Sequence, residues 1–507
     1  HQKLISKSEA LLNIHFPKNQ NLLSRSQFRL KFEELFYIQL QLILKNIIHK
    51  SKIKGYRFET VGDYFNTFYN KHLPFELTNA QKRVLKEIRI DMGSNAQMNR
   101  LLQGDVGSGK TIVALMSMFI AIDNDFQSTL MAPTEILAFQ HYNGLKPFCD
   151  LIGVKIALLT GSSKIAARRV IHEQLESGEL QIIVGTHALL EDKVKFKNLG
   201  LAIIDEQHRF GVAQRSKLWK KNDSPPHILV MTATPIPRTL AMSVYGDLDI
   251  SVIDELPAGR KPIKTVHRYD TNRLKVIGFI REEIAKGRQI YIVYPLINES
   301  ESLDFKDLMD GYEGIVRDFP MPKYQVSMVH GQMKPADKEF EMQRFVKGET
   351  HIMVATTVIE VGVNVPNASV MIIESAERFG LSQLHQLRGR VGRGSEQSYC
   401  ILMTSHKLGE NSKTRMQTMV HSSDGFEIAE VDLRLRGPGD MMGTQQSGIL
   451  ELKIANIVKD KDILSLARHW AKKVLVADPK LSDPKHQPIT QTYIKMGKYK
   501  NIWNYIS

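Results

Sequence analysis

Between residues 25 and 45 apolar side chains recur at helical spacing, Leu30, Phe32, Leu35, Phe36, Ile38, Leu40, Leu42 and Ile43, with lysines and glutamates in the intervals. Apolar positions three and four apart share one face of an α-helix, so the pattern predicts one long helix with a solvated basic face. After Pro74 the texture changes to short apolar runs that end in Gly, Thr or Asp and are separated by helical segments. A strand covered on both faces has no polar alternation, and these runs read as buried parallel strands. The first set is 100–103, 129–132, 155–159, 181–184, 201–204 and 228–231, and the second is 289–294, 325–329, 351–355, 370–373 and 398–403. Strands alternating with helices build α/β layers, so two sets predict two separate parallel sheets. The segment 256–263, rich in Pro, Gly and charge, reads as the linker between them. The expected division is a basic linker region with the long helix over 1–72, one lobe over 73–258, a second over 259–412 and a C-terminal region over 413–507.

At about 150 residues per domain, 507 residues amount to three or four domains, in keeping with that division. With 42% apolar and 24% charged residues, the composition excludes a disordered, collagen-like or coiled-coil chain. The net charge of +14 points to a polyanionic partner, and it is unevenly spread. Residues 1–75 and 453–507 carry +7 each, which leaves the middle neutral. Cys149 and Cys400 lie far apart without metal-ligand spacing, which argues against a disulfide framework or a zinc site and fits a reducing cytoplasm. The longest apolar stretch, 111–122, is too short for a bilayer and suits a buried helix, so no membrane partner is expected. The first residues hold neither an initiator methionine nor a signal pattern, and the chain is expected to be a fragment of something longer.

The chemistry is concentrated in a few strings. Gly104, Asp105, Val106, Gly107, Ser108, Gly109, Lys110 and Thr111 fit the phosphate-binding pattern G-x-x-x-x-G-K-[ST], after a predicted strand and before a long apolar helix. Glycines there let backbone N–H groups wrap phosphates, Lys110 reaches the β and γ phosphates of a bound nucleotide, and the Thr111 hydroxyl ligates Mg²⁺. At the end of the strand 201–204 stand Asp205, suited to holding Mg²⁺, and Glu206, suited to orienting and deprotonating an attacking water. In the second half, the string 386–394 begins with Gln386 and places Arg390 and Arg393 three apart on one helical face. A planar guanidinium from a facing domain stabilises charge on a transferring phosphoryl group, so both arginines are candidate fingers. A nucleotide kinase would lack this second sheet and its arginines, and an ATP-independent scaffold would have no need to keep Lys110 or Glu206.

In this order the strings resemble the superfamily 2 helicases. Phe75 and Gln81 look like the adenine-reading Q motif. Thr134 and Glu135 resemble motif Ia, Gly161 motif Ic, and Thr186 and His187 motif Ib, where such proteins contact DNA phosphates. Residues 232–234 resemble motif III, and 354–357 through 362–366, with Thr356, Gly362 and Asn364, resemble motif V. The longer strings 205–212 and 234–240, and the segments 425–430, 432–440 and 443–448, resemble the RecG family of bacterial fork-remodelling motors and its translocation segment, from about Phe28 onward. Arg436 and Gln446 are the polar groups singled out in that segment as DNA contacts.

The resemblance implies two RecA-like lobes in tandem with ATP and Mg²⁺ between them, followed by a helical hairpin and translocation segment. It implies an ATP-dependent DNA helicase and duplex translocase that reverses stalled forks and branch-migrates Holliday junctions in DNA repair and recombination. The partners implied are branched and duplex DNA and single-stranded-DNA-binding protein, for a cytoplasmic, nucleoid-associated bacterial monomer. Two departures stand out: Asn364 occupies a position that often holds Asp, and the N-terminal wedge domain of the family is represented only by the helix that follows it. The nearest rival, a transcription-repair-coupling type of translocase without strand separation, would need an RNA-polymerase-binding domain, for which the chain has no room.

Overall fold

The computed structural model describes residues 4–206, 221, 224–234, 237, 248–257, 261–295, 301–356, 365–392, 394, 396–436 and 452–495. The apolar runs form two parallel sheets. The first contains β1 (Asn99–Gly104), β2 (Gln127–Met131), β3 (Ile156–Leu159), β4 (Ile182–Gly185), β5 (Leu199–Asp205), β6 (His227–Thr232) and β7 (Asp249–Ile253), in the order β3-β4-β2-β5-β6-β1-β7. The second contains β8 (Lys264–Tyr269), β9 (Gln289–Tyr294), β10 (Val326–Val329), β11 (Ile352–Thr356), β12 (Ala368–Ile373) and β13 (Tyr399–Thr404), in the order β10-β11-β9-β12-β13-β8. The expected pair of α/β lobes is therefore present, and each predicted strand lies within about two residues of its position. β7 and β8 were not expected, and both lie at a sheet edge. Covered on fewer sides, they keep polar residues such as Asp249, Lys264 and Arg268 and present no continuous apolar run.

The apolar stretch after the phosphate-binding string becomes the Lys110–Ile122 helix, buried from Val113 onward. Leu102, Leu130, Ile203 and Leu229 on one face of the first sheet pack with it, while Leu101, Met131, Ile204 and Val230 on the other face pack with Leu175 and Leu189. In the first sheet β5, β6 and β1 are neighbours, so their carboxyl ends bring 104–111, 205–206 and 232–234 side by side. Open α/β sheets bind ligands at that edge.

The long helix runs over Gln20–Lys52, 33 residues, somewhat beyond the predicted 25–45. It packs on the Lys461–Ala477 helix through Phe32, Leu35, Phe36 and Leu40 against Leu464, Ala467, Ala471 and Leu475. The Glu34 carboxylate accepts hydrogen bonds from the backbone N–H groups of Lys453, Ile454 and Ala455 at 2.6, 3.1 and 2.9 Å. Lys31 donates to Asp460 at 2.8 Å, and Arg468 to Gln39 at 2.8 Å. The two basic flanks of the sequence thus join in one helical body. After the second sheet, the helices Glu410–His421 and Gly425–Arg436 form a hairpin that packs on the Leu381–Arg388 helix.

Candidate active site

The phosphate-binding string turns sharply out of β1. Gly107 and Gly109 adopt φ of 78° and 86°, the left-handed region where a side chain is strained. A Cβ at Gly109 would also collide with the Gln81 amide. Gln81 is fully buried: its Oε1 accepts from Thr78 N–H at 2.9 Å, and its Nε2 donates to the Ser108 carbonyl at 2.8 Å. It lies beneath the phosphate loop as a brace, whereas Phe75 is 40% exposed and lines the cleft. Lys110 Nζ donates to the carbonyls of Gly104 and Asp105, each at 2.8 Å, on the inner side of the loop.

Asp205 ends β5 and is buried, with Oδ2 2.8 Å from His141 Nε2. Burial works against its charge, yet the His141 hydrogen bond and the Lys110 ammonium hold its carboxyl below the usual carboxylate range. Glu206 follows at φ 53°, a conformation that costs a non-glycine residue about 1 kcal/mol or more and that clusters at functional sites. Its carboxylate accepts from the Ala233 N–H at 3.2 Å and the Thr232 hydroxyl at 3.3 Å. The candidate base is therefore tied directly to the 232–234 turn.

The second lobe closes the cleft from the other side. Gln386 Nε2 donates to Thr234 Oγ1 at 2.5 Å, and His385 Nε2 lies 2.6 Å from Asp105 Oδ1. A Cβ on Gly389 would stand 2.9 Å from Val106 Cβ, so the two lobes touch there with no space for a side chain. Arg390 is buried and lines the cleft; Arg393 lies outside the described residues. The resulting cavity of about 910 Å³ is bounded by Gly107, Gly109, Lys110 and Thr111, by Asp205 and Glu206, and by Gln386 and Arg390.

Among the described residues no group of three or more His, Cys, Asp or Glu side chains cages a metal. Mg²⁺ bound with a nucleotide takes one or two protein oxygens and completes its shell with phosphates and water. Thr111 and an ionised Asp205 both border the cleft, so these residues fit the ion.

The residues singled out as DNA contacts are placed unevenly. Thr134 caps the Glu135–Leu151 helix, its hydroxyl accepting from Leu137 N–H at 3.3 Å. Glu135 accepts from the Ser162 N–H at 3.0 Å and the Ser162 hydroxyl at 2.6 Å, which ties its loop to Gly161. A carboxylate held this way shapes the loop. Arg168 clamps the same loop from below, donating to the carbonyls of Thr160, Gly161 and Ser163 at 2.7, 2.9 and 3.1 Å. His187 is exposed, whereas Thr186 and Thr356 are buried at the ends of their strands. Gly362, Asn364 and Gln446 lie outside the described residues; Arg436 closes its helix, and its side chain also lies outside them.

Sequence reasoning did not single out His141, Arg168, His385 or Arg388. A signal existed for His141, which shares the buried stripe of its helix with Ala138, Leu145 and Cys149. His385 and Arg388 likewise interrupt the apolar set Leu381, Leu384 and Leu387. Arg388 donates to His385 Nδ1 at 2.9 Å and to the carbonyls of Met419 and Ser422 at 2.9 and 2.8 Å.

Comparison with known proteins bears on all three regions. The model of the DEAD/DEAH box helicase family matches residues 78–243, that of the helicase conserved C-terminal domain 273–395, and that of ATP-dependent DNA helicase RecG, domain 3, C-terminal, 422–507. The chain is 50% identical to an ATP-dependent DNA helicase RecG of Synechocystis over 479 residues, which is 94% of this chain and 57% of that protein. It is 46% identical to the ATP-dependent DNA helicase RecG of Bacillus subtilis over 495 residues, 98% of this chain and 72% of that one. A solved structure of RecG bound to a three-way DNA junction superposes with a TM-score of 0.73 at 41% identity, covering 91% of this chain and 60% of that one. A DUF1998 helicase, MrfA, shares the fold at a TM-score of 0.53 and 16% identity.

Proposed function

The chain belongs to the RecG family of ATP-dependent DNA helicases, and from that premise we propose that it hydrolyses ATP to drive duplex DNA translocation and the remodelling of branched DNA, in fork reversal and branch migration. The observation that carries this reading is the composite cleft: phosphate loop, Asp205 and Glu206 from one lobe face Gln386 and Arg390 from the other. The backbone N–H groups of 107–111 and the Lys110 ammonium bind the β and γ phosphates. Glu206, held by Ala233 and Thr232, orients the attacking water and takes its proton. Arg390 stabilises the charge that develops as ADP and phosphate separate. Thr111 and Asp205 would hold Mg²⁺, which when bound neutralises phosphate charge.

Because groups from both lobes meet at the nucleotide, binding favours closure and product release favours opening. Loops 133–135 and 160–163 ride on the first lobe, and the helical hairpin rides on the second through Arg388 and a Ser382 to Asp432 hydrogen bond of 3.0 Å. Opening and closing therefore move two candidate DNA-gripping surfaces against each other. Both lobes come from one polypeptide, which supports action as a monomer, and no described helix is long and apolar enough to cross a membrane. The family's cellular setting, the bacterial cytoplasm and nucleoid, and its contact with single-stranded-DNA-binding protein are part of the same reading. ATPase rates without DNA, with linear duplex and with a synthetic fork test it: stimulation by DNA, greatest with the fork, is expected, and equal rates in all three refute it.

A further inference from the structure

We propose that Asp105 and His385 form an interlobe clasp that places Arg390 at the nucleotide, so that both are positioning residues of the hydrolytic reaction; this rests on the function proposed above. Asp105 belongs to the phosphate-binding string, yet an anion facing phosphates would repel them. Its carboxylate is turned to the second lobe instead, where Oδ1 accepts from the Val106 N–H at 2.7 Å and lies 2.6 Å from His385 Nε2. Burial opposes its charge, and the His385 hydrogen bond and Val106 N–H still hold the carboxyl below the usual range.

The donors and acceptors run in one direction. A guanidinium only donates, so His385 Nδ1, 2.9 Å from Arg388 Nη2, is the acceptor. The proton of the neutral ring then sits on Nε2 and is donated to Asp105. Arg388 is itself fixed by two carbonyls at the neck of the helical hairpin, Met419 and Ser422. Little room is left for adjustment: the side chains of His385 and Asp105 are 5% and 20% exposed.

His385 and Gly389 stand one helical turn apart and meet the successive residues Asp105 and Val106, while Gln386 between them meets Thr234. Arg390 is the next residue after this row of contacts. The second lobe therefore registers on the phosphate loop through protein groups alone, and the finger's starting point is set by the clasp five residues before it. A neutral histidine makes the bridge without adding a cation to compete with Lys110 for the phosphates.

The test is a double-mutant cycle of Asp105→Ala and His385→Ala, with Asp105→Asn, which keeps an acceptor, as the conservative variant. Dyes at Ile165→Cys and Leu274→Cys report the distance between lobes; both positions are more than 80% exposed, and Cys149 and Cys400 are buried, so labelling is selective. A displacement of about 1 Å at a reacting centre lowers the rate on the order of 100-fold. Each alanine variant is expected to lose about that much kcat, the double variant no more than the worse single one, and Asp105→Asn much less. The interlobe distance lengthens in both alanine variants, and in His385→Ala the affinity for a fluorescent ADP, bound by the first lobe, stays near that of the unchanged chain. Losses that multiply in the double variant, or an unchanged interlobe distance, overturn the clasp. If His385→Ala fails to fold, the two Asp105 variants decide the matter by distance and by Asn rescue. If the unchanged chain hydrolyses no ATP, the proposed function falls, while the dye distances still judge the clasp.

Discussion

If Asp205 holds Mg²⁺ as proposed, replacing His141 by alanine isolates how its carboxylate is presented to the ion. In the folded chain Asp205 is buried, and one carboxylate oxygen is held at 2.8 Å by His141 Nε2, from a helix of the same lobe. A hydrogen bond to a charged group contributes about 1.5–3 kcal/mol, and loss of an outer partner of a metal ligand lowers metal affinity about 10- to 100-fold, or about 1.4–2.7 kcal/mol. The two figures agree, so His141→Ala is expected to raise the Mg²⁺ concentration for half-maximal ATP hydrolysis 10- to 100-fold. Binding of a fluorescent nucleotide in the absence of Mg²⁺ should change little, because Lys110 and the loop N–H groups remain. Emptying the histidine site also costs packing, which would lower thermal stability and could mimic a catalytic loss. His141→Gln separates the two effects: its amide reaches the place of Nε2 and should recover most of the Mg²⁺ affinity. A Mg²⁺ dependence unchanged in His141→Ala, or equally impaired in both variants, refutes the reasoning.

Other perturbations bear on separate parts of the molecule. Lys110→Ala and Glu206→Gln are each expected to abolish turnover while DNA affinity stays largely intact, and hydrolysis at the original rate in either would show that the site is misassigned. Glu34→Ala removes the acceptor of three backbone N–H groups at 453–455 and should destabilise the joint helical body by about 2–3 kcal/mol, seen as an early unfolding transition with those of the lobes unmoved. His227 is held neutral: burial pulls its pKa down to about 4, while Nδ1 accepts from Met98 N–H and Nε2 contacts the Tyr56 carbonyl. The unfolded chain therefore takes up a proton near pH 6.5 that the folded one refuses. The stabilisation is complete above that pH and declines by about 3 kcal/mol as pH falls to 4. His227→Gln, which does not titrate, should flatten that part of the pH–stability curve of the first lobe.

The reach of the sequence reading had physical limits that individual residues make plain. Buried strands such as β5 and β12 were legible because a strand covered on both faces shows no polar alternation. β7 and β8 were not, because an edge strand has to satisfy solvent and neighbours as well as a core. That Lys110, Asp205 and Glu206 would border one cleft was legible because each string follows a buried strand, and parallel strands bring such ends to the same edge. His141 and His385 were hidden because their meaning lies in partners 64 and 280 positions away, and no local pattern records such a pairing. Glu135 illustrates the same limit from the other side: a motif assigned it to DNA, and only the fold shows its carboxylate already engaged by Ser162, 27 residues on.

The charge that seemed to lie at two ends of the chain has a similar resolution. Residues 1–75 and 453–507 carry +7 each, and the Gln20–Lys52 and Lys461–Ala477 helices pack into one body that adjoins the lobes. Some of that charge is internal to the fold, since Lys31 pairs with Asp460 and both Lys7 and Arg29 with Glu33. On the outer side of the Lys461–Ala477 helix, His469, Lys472, Lys473 and Val476 are exposed at spacings of three and four, which puts them on one face. Of these, Lys473 rests over the Trp470 ring at 4.8 Å and is held near the surface in a defined place. If this face meets the phosphates of a DNA arm, each lysine it contributes releases about one counterion, so Lys472→Gln with Lys473→Gln should lower the slope of log affinity against log salt by about 1 to 2. ATP hydrolysis without DNA should be untouched, because neither residue borders the cleft. A salt slope equal to that of the unchanged chain would make this face merely solvated, and the positive charge of the joint body would then serve solubility instead of DNA.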